Sequence, residues 1–476
     1  MNSAPKDVTG YTICLNDCTG MDAVTDAGIA ASDWRGKKMT IKQLLSFTAG
    51  LLLAGKLLAA APAEFVQVED GHFTLGGAPY RFAGANYWHG GYLAATDPER
   101  LERELDLLRE KKITNLRVLA LSESSAQSRS VSPTVIRAPG QFDETLQKGL
   151  DRLLVELRER DMKAVLYLTN FWQWSGGMTQ YLAWHKDTEI IDPDLSGEWD
   201  AYMDSAADFY RCPPCQRQYL DATRTLTGRK NTLNGVRYRD DPTIMAWQLA
   251  NEPRPGGSSF QADKAQDYID WVQGSAGAIE KMAPRQLVSS GSEGIFGSQE
   301  RRSVYVDAHD TPAIDYLTVH LWIKNWGWFD IQNAEETFPG ALEKSRDYLQ
   351  RHIEIAGDLK KPLVLEEFGV ERDGGNFSPR SSTDYRDAFL REIYGVIERN
   401  SREGGPLVGS NIWTFGGYGR NGNDDYRWRP GDDFLGDPPQ EAQGLNSVFD
   451  TDTETLGIIR AHAQALRADD AVSGKQ

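Results

Sequence analysis

Basic residues are scarce relative to acidic ones in this chain of 476 residues. Lysine and arginine number 52 against 69 aspartates and glutamates, which gives a formal net charge of −17 at pH 7. A protein that binds nucleic acid needs basic patches to neutralise the phosphates, so we predict no nucleic-acid partner. The charge balance fits a protein that acts on a neutral substrate.

Cysteine is also scarce, with four residues in the whole chain. Cys212 and Cys215 form a CPPC motif in a predicted helical connection, and Cys14 and Cys18 lie near the N-terminus. A zinc site would need a second pair of ligands, and the only other cysteine pair is Cys14 and Cys18. A redox role would need a thioredoxin-like context, which the surrounding sequence lacks. We therefore predict either a local disulfide or two surface thiols at CPPC.

Long apolar runs are confined to one stretch near the N-terminus. Residues 39–63 begin with Met39 and a basic segment, continue as an apolar run and end in small residues. This order is typical of a secretory signal peptide. A membrane-spanning helix needs about 20 apolar residues, and Lys56 interrupts the apolar run before it reaches that length. We predict secretion to the extracellular space or periplasm, without a membrane anchor. Residues 1–38 are interpreted as a non-native leader, with translation starting at Met39, or as a disordered one.

The sequence shows no internal repeat, and no linker-like tract follows residue 64, so residues 64–470 are predicted to form one catalytic domain. Eight strand-like stretches alternate with amphipathic helices, which predicts an α/β fold, the (β/α)8 TIM barrel. A short β-hairpin before the first strand is expected to plug the bottom of the barrel. The strand-like stretches are 80–85, 113–120, 163–170, 243–249, 286–294, 314–322, 362–369 and 406–417, and the helical stretches include 98–112, 142–160, 200–229, 262–283, 334–357, 382–400 and 451–468.

Two of the predicted strands end in glutamate. TIMAWQLANEPRP delivers Glu252 at the end of the fourth strand, and KPLVLEEFG delivers Glu366 and Glu367 at the end of the seventh. In a parallel barrel, catalytic groups lie at the carboxyl ends of the strands. Because side chains alternate along a strand, Glu366 is expected to face the other side and to be structural. Hydrolysis of a glycosidic bond requires a pair of carboxyl groups, so we predict Glu252 and Glu367 as catalytic residues.

Tryptophan is abundant, with 13 residues that gather near the predicted strand ends. Because indole rings stack on the apolar faces of sugars, Trp88, Trp172 and Trp174 are expected either to form sugar platforms or to pack in the core. The long loops after strands three and eight, 168–185 and 416–444, suit a substrate cleft. We interpret the acidic cluster of the second loop as solvated rather than as a calcium site, because its spacing matches no metal-binding loop. The cluster consists of Asp424, Asp425, Asp432 and Asp433.

Four motifs together resemble glycoside hydrolase family 5, a retaining family on a (β/α)8 barrel. They are ANEPR, HLW, EEFG and NIWTFGG, and the resemblance covers nearly all of residues 65–470. FAGANYWHGGY, HLWIKNWGWFD and GDPPQEAQG are more narrowly similar to the bacterial endo-β-1,4-mannanases of that family. The resemblance implies cleavage of β-1,4-mannosidic bonds within mannan, glucomannan or galactomannan, with no cofactor or metal ion. We also predict a monomer.

The resemblance implies roles for individual residues. Glu252 matches the acid/base of the family and Glu367 its nucleophile, while Arg117 matches the strand-two arginine that steadies the nucleophile. Where many members have a tyrosine that donates to the nucleophile, this chain has Trp322, whose indole can stack on sugar or donate one N–H. Asn251 would bind the sugar 2-hydroxyl, and Trp413 would form the floor for the sugar at the cleavage site. The other candidate substrate-binding or supporting residues are His320 on strand six and Asn86.

The predicted mechanism is double displacement. Glu367 is ionised, with Arg117 and His320 as partners, and Glu252 is kept protonated by its charged neighbour and by partial burial. Glu367 attacks the anomeric carbon while Glu252 protonates the departing sugar, and Glu252 then activates water to hydrolyse the glycosyl-enzyme with net retention. This chemistry requires carboxyl groups about 5–5.5 Å apart.

Three other interpretations stay open. A β-1,4-glucanase on the same scaffold would differ in its preference at the sugar 2-hydroxyl, and a mannan-directed transglycosylase would use the same chemistry. A non-catalytic polysaccharide-binding barrel would be expected to lack one of the two glutamates, and both are present. An assay on mannans and cellulose separates these alternatives.

Overall fold

The computed structural model describes residues 64–127, 129–186 and 189–473, with side chains described up to residue 467. The leader and signal-peptide predictions, and the pair Cys14 and Cys18, lie outside the described residues. Within the described residues, no helix is both long enough and apolar enough to cross a membrane.

Eight parallel strands form the centre of the fold, which confirms the predicted (β/α)8 barrel. Neighbours in the chain are neighbours in the sheet, and the eighth strand pairs with the first, as Ile412 does with Ala85. The fifth and sixth strands are joined by a hydrogen bond of 2.9 Å from the backbone N–H of Asp315 to the carbonyl of Val288. The strands are Phe82–Asn86, Asn115–Leu119, Lys163–Tyr167, Ile244–Gln248, Leu287–Ser289, Leu317–Leu321, Leu363–Phe368 and Leu407–Ile412.

Helices surround the strands, mostly where amphipathic stretches predict them. The region predicted as helical over 200–229 is divided by a 3-10 turn, Asp208–Arg211, because Pro213 and Pro214 fit only the first turn of a new helix. Four short helices were not predicted, since four to ten residues are too few to show a clear periodicity, and one of them, Gly177–Lys186, lies in the predicted loop 168–185. The other three are Gly90–Thr96, Pro193–Ser196 and Arg302–His309. The helices are Gly90–Thr96, Pro98–Glu110, Glu144–Glu159, Gly177–Lys186, Pro193–Ser196, Trp199–Ala207, Pro213–Gly228, Ala262–Met282, Arg302–His309, Ala334–Leu359, Asp384–Arg402 and Thr453–Ser473.

A three-stranded antiparallel sheet precedes the barrel and is formed by Val66–Glu69, His72–Leu75 and Ala78–Pro79. Val66 and Phe73 of this sheet are buried in one cluster with residues of the barrel strands, among them Phe82, Met245 and Val408. The predicted plug at the bottom of the barrel is therefore confirmed. Two smaller strand pairs lie in the loops: Ile136–Ala138 with Gln141–Phe142, and Phe415–Gly417 with Val448–Phe449.

Cys212 and Cys215 form a disulfide at the start of the helix Pro213–Gly228. Both cysteines are fully buried. Of the two predicted alternatives, the local disulfide is correct and the pair of surface thiols is wrong.

The loop after the eighth strand folds back over the carboxyl end of the first strand. The indole N–H of Trp88 donates to the carbonyl of Gly436 in this loop at 2.5 Å. The aspartates of the loop bind neighbouring groups rather than converging: Asp425 pairs with Arg429 at 2.7 Å, and Asp432 accepts from Asn423 at 2.6 Å. This arrangement fits the predicted solvated loop.

Candidate active site

The end of the fourth barrel strand positions Glu252. Its backbone N–H donates to the carbonyl of Gly291 at 3.0 Å, and the N–H of Asn251 donates to Thr169 at 2.9 Å, so both neighbouring strand ends hold this segment. Glu252 has a φ of +50°, a left-handed conformation that residues other than glycine rarely adopt. Glu252 is 7% exposed, and its carboxyl group lies 2.6 Å from Nδ1 of His320 on the sixth strand. Held by two neighbours, the strained backbone fixes the direction of this side chain.

The seventh strand carries both Glu366 and Glu367 into the interior. Val319 pairs with Leu365 and His320 with Glu367, so Glu366 is an extra residue at a β-bulge. The prediction that alternation turns Glu366 to the other face is therefore wrong. Its carboxyl group lies 3.3 Å from the Nε of Arg117 and accepts a hydrogen bond from Gln248 at 2.5 Å. Glu366 thus supports the site from beneath.

Arg117, fully buried on the second strand, binds the groups around both glutamates. Its guanidinium donates to the carboxyl oxygen of Glu367, to Asn251 at 2.8 Å and to Asn86 at 3.1 Å. Asn86 in turn donates to the backbone carbonyl of Glu366 at 2.8 Å. The structure therefore brings three predicted supporting residues, Arg117, Asn251 and Asn86, into one network around the predicted nucleophile.

His320 lies between the two predicted catalytic glutamates. Its Nδ1 is 2.6 Å from Oε1 of Glu252 and 3.4 Å from Oε2 of Glu367. One ligand atom each from Glu252, His320 and Glu367 lie within 4.8 Å of one another. A carboxylate–imidazole set of this kind has the chemistry to hold a divalent metal ion as well as to exchange protons. That the protein needs no metal ion stays a prediction.

Two tryptophans donate hydrogen bonds to Glu252. The indole N–H of Trp172 reaches Oε2 at 2.6 Å, and that of Trp322 reaches Oε1 at 3.2 Å. Trp322 also packs edge-on against Trp413, with ring centroids 5.9 Å apart. Trp322, which stands where many members of the resembled family have a tyrosine that donates to the nucleophile, therefore donates to Glu252 rather than to Glu367.

Trp88 and Trp174 pack in the core instead of forming sugar platforms. Each is 1% exposed, and their rings meet edge-on at 5.1 Å. Phe434 and Tyr92 cover further parts of Trp88 at 5.5 and 6.0 Å. No ring face is left for a sugar, so the platform alternative is wrong for these two residues.

Burial and neighbouring charges set the protonation of the site. Burial, opposed by His320 and Arg117 and reinforced by the charge of Glu252, raises the pKa of Glu367 to about 8. Burial also acts on Glu252, but the hydrogen bond and charge of His320 outweigh it and lower the pKa of Glu252 to about 2. Burial disfavours a charge on His320, yet Glu367 and Glu252 raise its pKa to about 10. The directions of these shifts favour a proton on His320 and on Glu367 over a proton on Glu252.

The direction of these shifts is opposite to the prediction that Glu252 is protonated and Glu367 ionised. The physical reason is the crowding of carboxyl groups: Glu252 and Glu367 are buried within reach of the same His320, and the charge of Glu252 acts against ionisation of Glu367. Like charges this close do not all ionise, so one carboxyl group keeps a proton. Because His320 hydrogen-bonds Glu252 directly and stabilises its ionised form, Glu367 is the carboxyl group whose pKa is raised.

Comparisons with known proteins agree with this architecture. A family model described as glycoside hydrolase family 5 β-mannosidase-like matches residues 63–470. The chain belongs to glycoside hydrolase family 5. It is 30% identical over 392 residues to mannan endo-1,4-β-mannosidase 3 of Solanum lycopersicum, an alignment that covers 79% of this chain and 88% of that protein.

Solved structures show the same relationship. This family 5 enzyme matches the glycoside hydrolase family 5 mannosidase from Rhizomucor miehei with a TM-score of 0.79 and 34% identity, over 87% of this chain and 100% of that one. It shares the fold of the endo-β-1,4-mannanase from Thermotoga petrophila, with a TM-score of 0.61 and 22% identity over 81% of this chain and 77% of that one. The Solanum lycopersicum and Rhizomucor miehei proteins are a plant and a fungal relative, so the narrower likeness to bacterial enzymes is not confirmed.

Two further acidic residues of this glycoside hydrolase interact electrostatically with the catalytic glutamates and were not predicted. Glu293 accepts a hydrogen bond from Arg254 at 2.6 Å, and burial, with the charge of Glu252, raises its pKa to about 7. Glu293 ends the predicted fifth strand just as Glu252 ends the fourth, so the same pattern could have identified it.

Glu441 comes from the loop after the eighth strand. Within the described residues its Oε2 is buried and has no hydrogen-bond partner. Burial, together with the charges of Asp437 and Glu367, raises its pKa to about 8. The only sequence signal for Glu441 was its position in a long loop at the carboxyl face of the barrel.

Proposed function

We propose that this glycoside hydrolase cleaves β-1,4-mannosidic bonds within mannan-type polysaccharides, with Glu367 as nucleophile and Glu252 as acid/base. The observation that carries the proposal is the contact of one nitrogen with both carboxyl groups: His320 Nδ1 lies 2.6 Å from Oε1 of Glu252 and 3.4 Å from Oε2 of Glu367. Retaining glycosidases hold their carboxyl groups about 5–5.5 Å apart, whereas inverting enzymes need about 6.5–9.5 Å to accommodate a water molecule. The close pair supports double displacement.

The substrate class rests on the relatives. Two Solanum lycopersicum proteins of 29% and 30% identity are named mannan endo-1,4-β-mannosidase, and this chain covers 89% and 88% of their lengths. A polysaccharide is a neutral ligand, which agrees with the net charge of −17. We also propose that the enzyme is secreted, on the basis of the signal-like residues 39–63.

The first step needs Glu367 ionised and Glu252 protonated. Glu367 releases its proton to solvent, and the guanidinium of Arg117 stabilises the carboxylate that forms. The proton on His320 Nδ1 moves to Glu252 Oε1 along their contact of 2.6 Å. Glu367 then attacks the anomeric carbon, the glycosidic bond breaks, and Glu252 gives its proton to the leaving oxygen.

The second step uses the same residues in the opposite sense. Ionised Glu252, held by the indole N–H groups of Trp172 and Trp322, takes a proton from a water molecule. The resulting hydroxide attacks the anomeric carbon and displaces Glu367, so the configuration is retained overall. The proton on Glu252 can then return to His320.

A second candidate is an exo-acting β-mannosidase, which removes single sugars from the chain end. The Rhizomucor miehei relative with 34% identity is named a mannosidase rather than an endo-mannanase. In addition, Glu252 and Glu367 are only 7% and 2% exposed, and Glu441 from the loop after the eighth strand is close enough for their charges to raise its pKa. Catalytic residues that are buried to this extent also suit a substrate that enters by its chain end.

A product assay on purified mannan, glucomannan, galactomannan and cellulose tests the proposal. We expect reducing ends to be released from the mannans much faster than from cellulose, together with a rapid fall in viscosity and a range of oligosaccharides. Mannose as the sole early product would indicate the exo-acting enzyme. Faster release from cellulose would favour the β-1,4-glucanase, and activity equal to that of the Glu367→Gln control would favour the binding barrel.

A further inference from the structure

We propose that Glu366 positions His320 for proton transfer, by keeping a hydrogen on Nε2 of the imidazole while Nδ1 carries the proton that passes to Glu252. Glu366 is the extra residue of the β-bulge in the seventh strand and is 1% exposed. It acts on the reaction only through His320, so it is a positioning residue. The inference deepens the proposed function and rests on it.

Two buried atoms carry the inference, Oε2 of Glu366 and Nε2 of His320. Neither has a hydrogen-bond partner among the described residues. They lie 3.8 Å apart, which is longer than a hydrogen bond but within the distance of an ion pair. Because a buried polar group without a partner is costly, we infer that these two atoms satisfy each other. This requires a hydrogen on Nε2, since an ionised carboxyl group can only accept.

The carboxyl group of Glu366 is held in place from its other side. Its Oε1 accepts a hydrogen bond from Gln248 at 2.5 Å, and its Oε2 lies 3.3 Å from Nε of Arg117. Gln248 also accepts from Nε of Arg117 at 2.8 Å, so the three side chains form a closed set. Asn86 donates to the backbone carbonyl of Glu366 at 2.8 Å. Rotation of the carboxyl group away from His320 would break the bond to Gln248.

The state of the ring matters because Nδ1 of His320 contacts both catalytic glutamates. Nδ1 lies 2.6 Å from Oε1 of Glu252 and 3.4 Å from Oε2 of Glu367. When Nδ1 gives its proton to Glu252, a neutral imidazole with one hydrogen remains, and the partner of each nitrogen decides which one holds it. Glu366 keeps that hydrogen on Nε2. Nδ1 is then an acceptor, and it can take the proton back from Glu252 after the second step.

The charged groups around His320 divide between its two nitrogens. The ion pairs with Glu252 and Glu367 are made by Nδ1, and the ion pair with Glu366 is made by Nε2. Burial lowers the pKa of His320, and Glu367, Glu252 and Glu366 together raise it. Glu293, after the fifth strand, also interacts with His320 electrostatically. Removal of the Glu366 charge therefore changes the surroundings of Nε2 and leaves the contacts of Nδ1 in place.

NMR of the whole enzyme with isotope-labelled histidine reports the hydrogens of each ring nitrogen. The signals of His320 are those that His320→Asn lacks. In the wild type at pH 7 we expect a hydrogen on both nitrogens of His320. In Glu366→Gln, the amide oxygen can still accept from Gln248, but the amide nitrogen meets two other donors, Nε2 of His320 and Nε of Arg117. We therefore expect Nε2 to lose its hydrogen in this variant.

Kinetics on mannan measures what the state of the ring contributes to the reaction. For Glu366→Gln we expect kcat to fall about tenfold, a small part of what general acid–base catalysis contributes, because Nδ1 keeps its contact with the acid/base. KM should change little, because Glu366 lies beneath the site. Glu366→Asp retains the charge, so it should retain the Nε2 hydrogen and lose less activity. The control Glu123→Gln exchanges another fully buried glutamate, bound to Thr169 and Gly177, and should leave the His320 signals unchanged.

Three results would overturn the proposal. One is a wild-type His320 without a hydrogen on Nε2, a result that needs no variant to fold. Another is an unchanged His320 spectrum in folded Glu366→Gln, and the third is a changed spectrum together with the kcat of the wild type. A wild-type enzyme that fails to cleave mannan would overturn the proposed function and the role in proton transfer together, whereas the spectra would still show whether Glu366 holds the ring.

Discussion

The Nδ1 of His320 lies 2.6 Å from Oε1 of Glu252, so the imidazole and the acid/base carboxyl group share a hydrogen bond along which a proton can move. This contact is the main reason why the pKa of Glu252 falls below its ordinary value despite burial. It also links the acid/base to Glu367, which lies 3.4 Å from the same nitrogen. The protonation of both glutamates thus depends on one residue.

Replacement of His320 by asparagine tests this dependence. Without the cation and its hydrogen bond, burial dominates and the pKa of Glu252 rises, while the pKa of Glu367 also rises because a neutralising charge is lost. We expect kcat to fall about 100-fold or more, with the acidic limb of the pH profile moved to higher pH. Steady-state kinetics on mannan between pH 4 and 9 measures both effects. An unchanged acidic limb would contradict the proposed coupling.

The Glu252→Gln variant tests the reverse direction of the coupling. The negative charge of Glu252 contributes to the raised pKa of Glu367, so its removal should lower that pKa. An aryl β-mannobioside with an acidic phenol needs no general acid, which keeps the first step measurable in this variant. The burst of phenol release should extend to lower pH than in the wild type. A burst that requires higher pH would contradict the assignment.

The same pKa shifts predict how stability depends on pH. The folded state keeps the proton of Glu367 up to about pH 8, whereas the unfolded state releases it near the ordinary value of 4.5. The folded state therefore binds more protons between these values, and stability falls as pH rises through this window. His320, whose pKa is raised to about 10, acts in the same direction: its contribution is complete below pH 6.5 and is lost as pH rises towards 10.

We therefore expect Glu367→Gln to lose less stability than the wild type between pH 5 and pH 8, as measured by urea unfolding at each pH. Asp425→Asn is a matched control, because the pKa of Asp425 lies at about 2, below this window. A parallel decline in all three proteins would show that Glu367 does not carry the effect.

The disulfide between Cys212 and Cys215 is expected to stabilise the fold without a role in catalysis. It closes a loop of four residues, for which loop-closure entropy gives about 2 kcal/mol. The double variant Cys212→Ser/Cys215→Ser should unfold at a lower urea concentration and keep the kcat of the wild type at 25 °C. A loss of kcat in the folded variant would instead connect the disulfide to the site.

Most of the fold follows from local patterns in the sequence. Strands such as Ile244–Gln248 are apolar on both faces because helices cover the barrel, and the long amphipathic helices show a clear period. The helix Arg302–His309 escaped prediction because eight residues give too little periodicity. The division of the 200–229 region at Pro213 could have been predicted from the proline pair.

The candidate site was predictable where residues follow strands directly, as Glu252 and Glu367 do. The orientation of Glu366 was not predictable, because a β-bulge depends on the register between two strands and not on the sequence of one strand. Glu441 reaches the site only because a long loop folds back over the barrel, and the buried state of Trp88 depends on aromatic neighbours distant in the chain. Protonation could not be predicted, since it depends on the number of charges that tertiary structure brings together.

The central claim is that Glu367 forms a covalent bond to the sugar and Glu252 later helps to break it. Incubation with a 2-deoxy-2-fluoro-mannosyl fluoride, which slows the second step, followed by proteolysis and mass spectrometry of the labelled peptide, measures this directly. The account predicts one fluoromannosyl group on Glu367, and slower turnover of that adduct in Glu252→Gln. A label on Glu366 or Glu252, or an active enzyme that never acquires a label and yields product of inverted configuration, would contradict it.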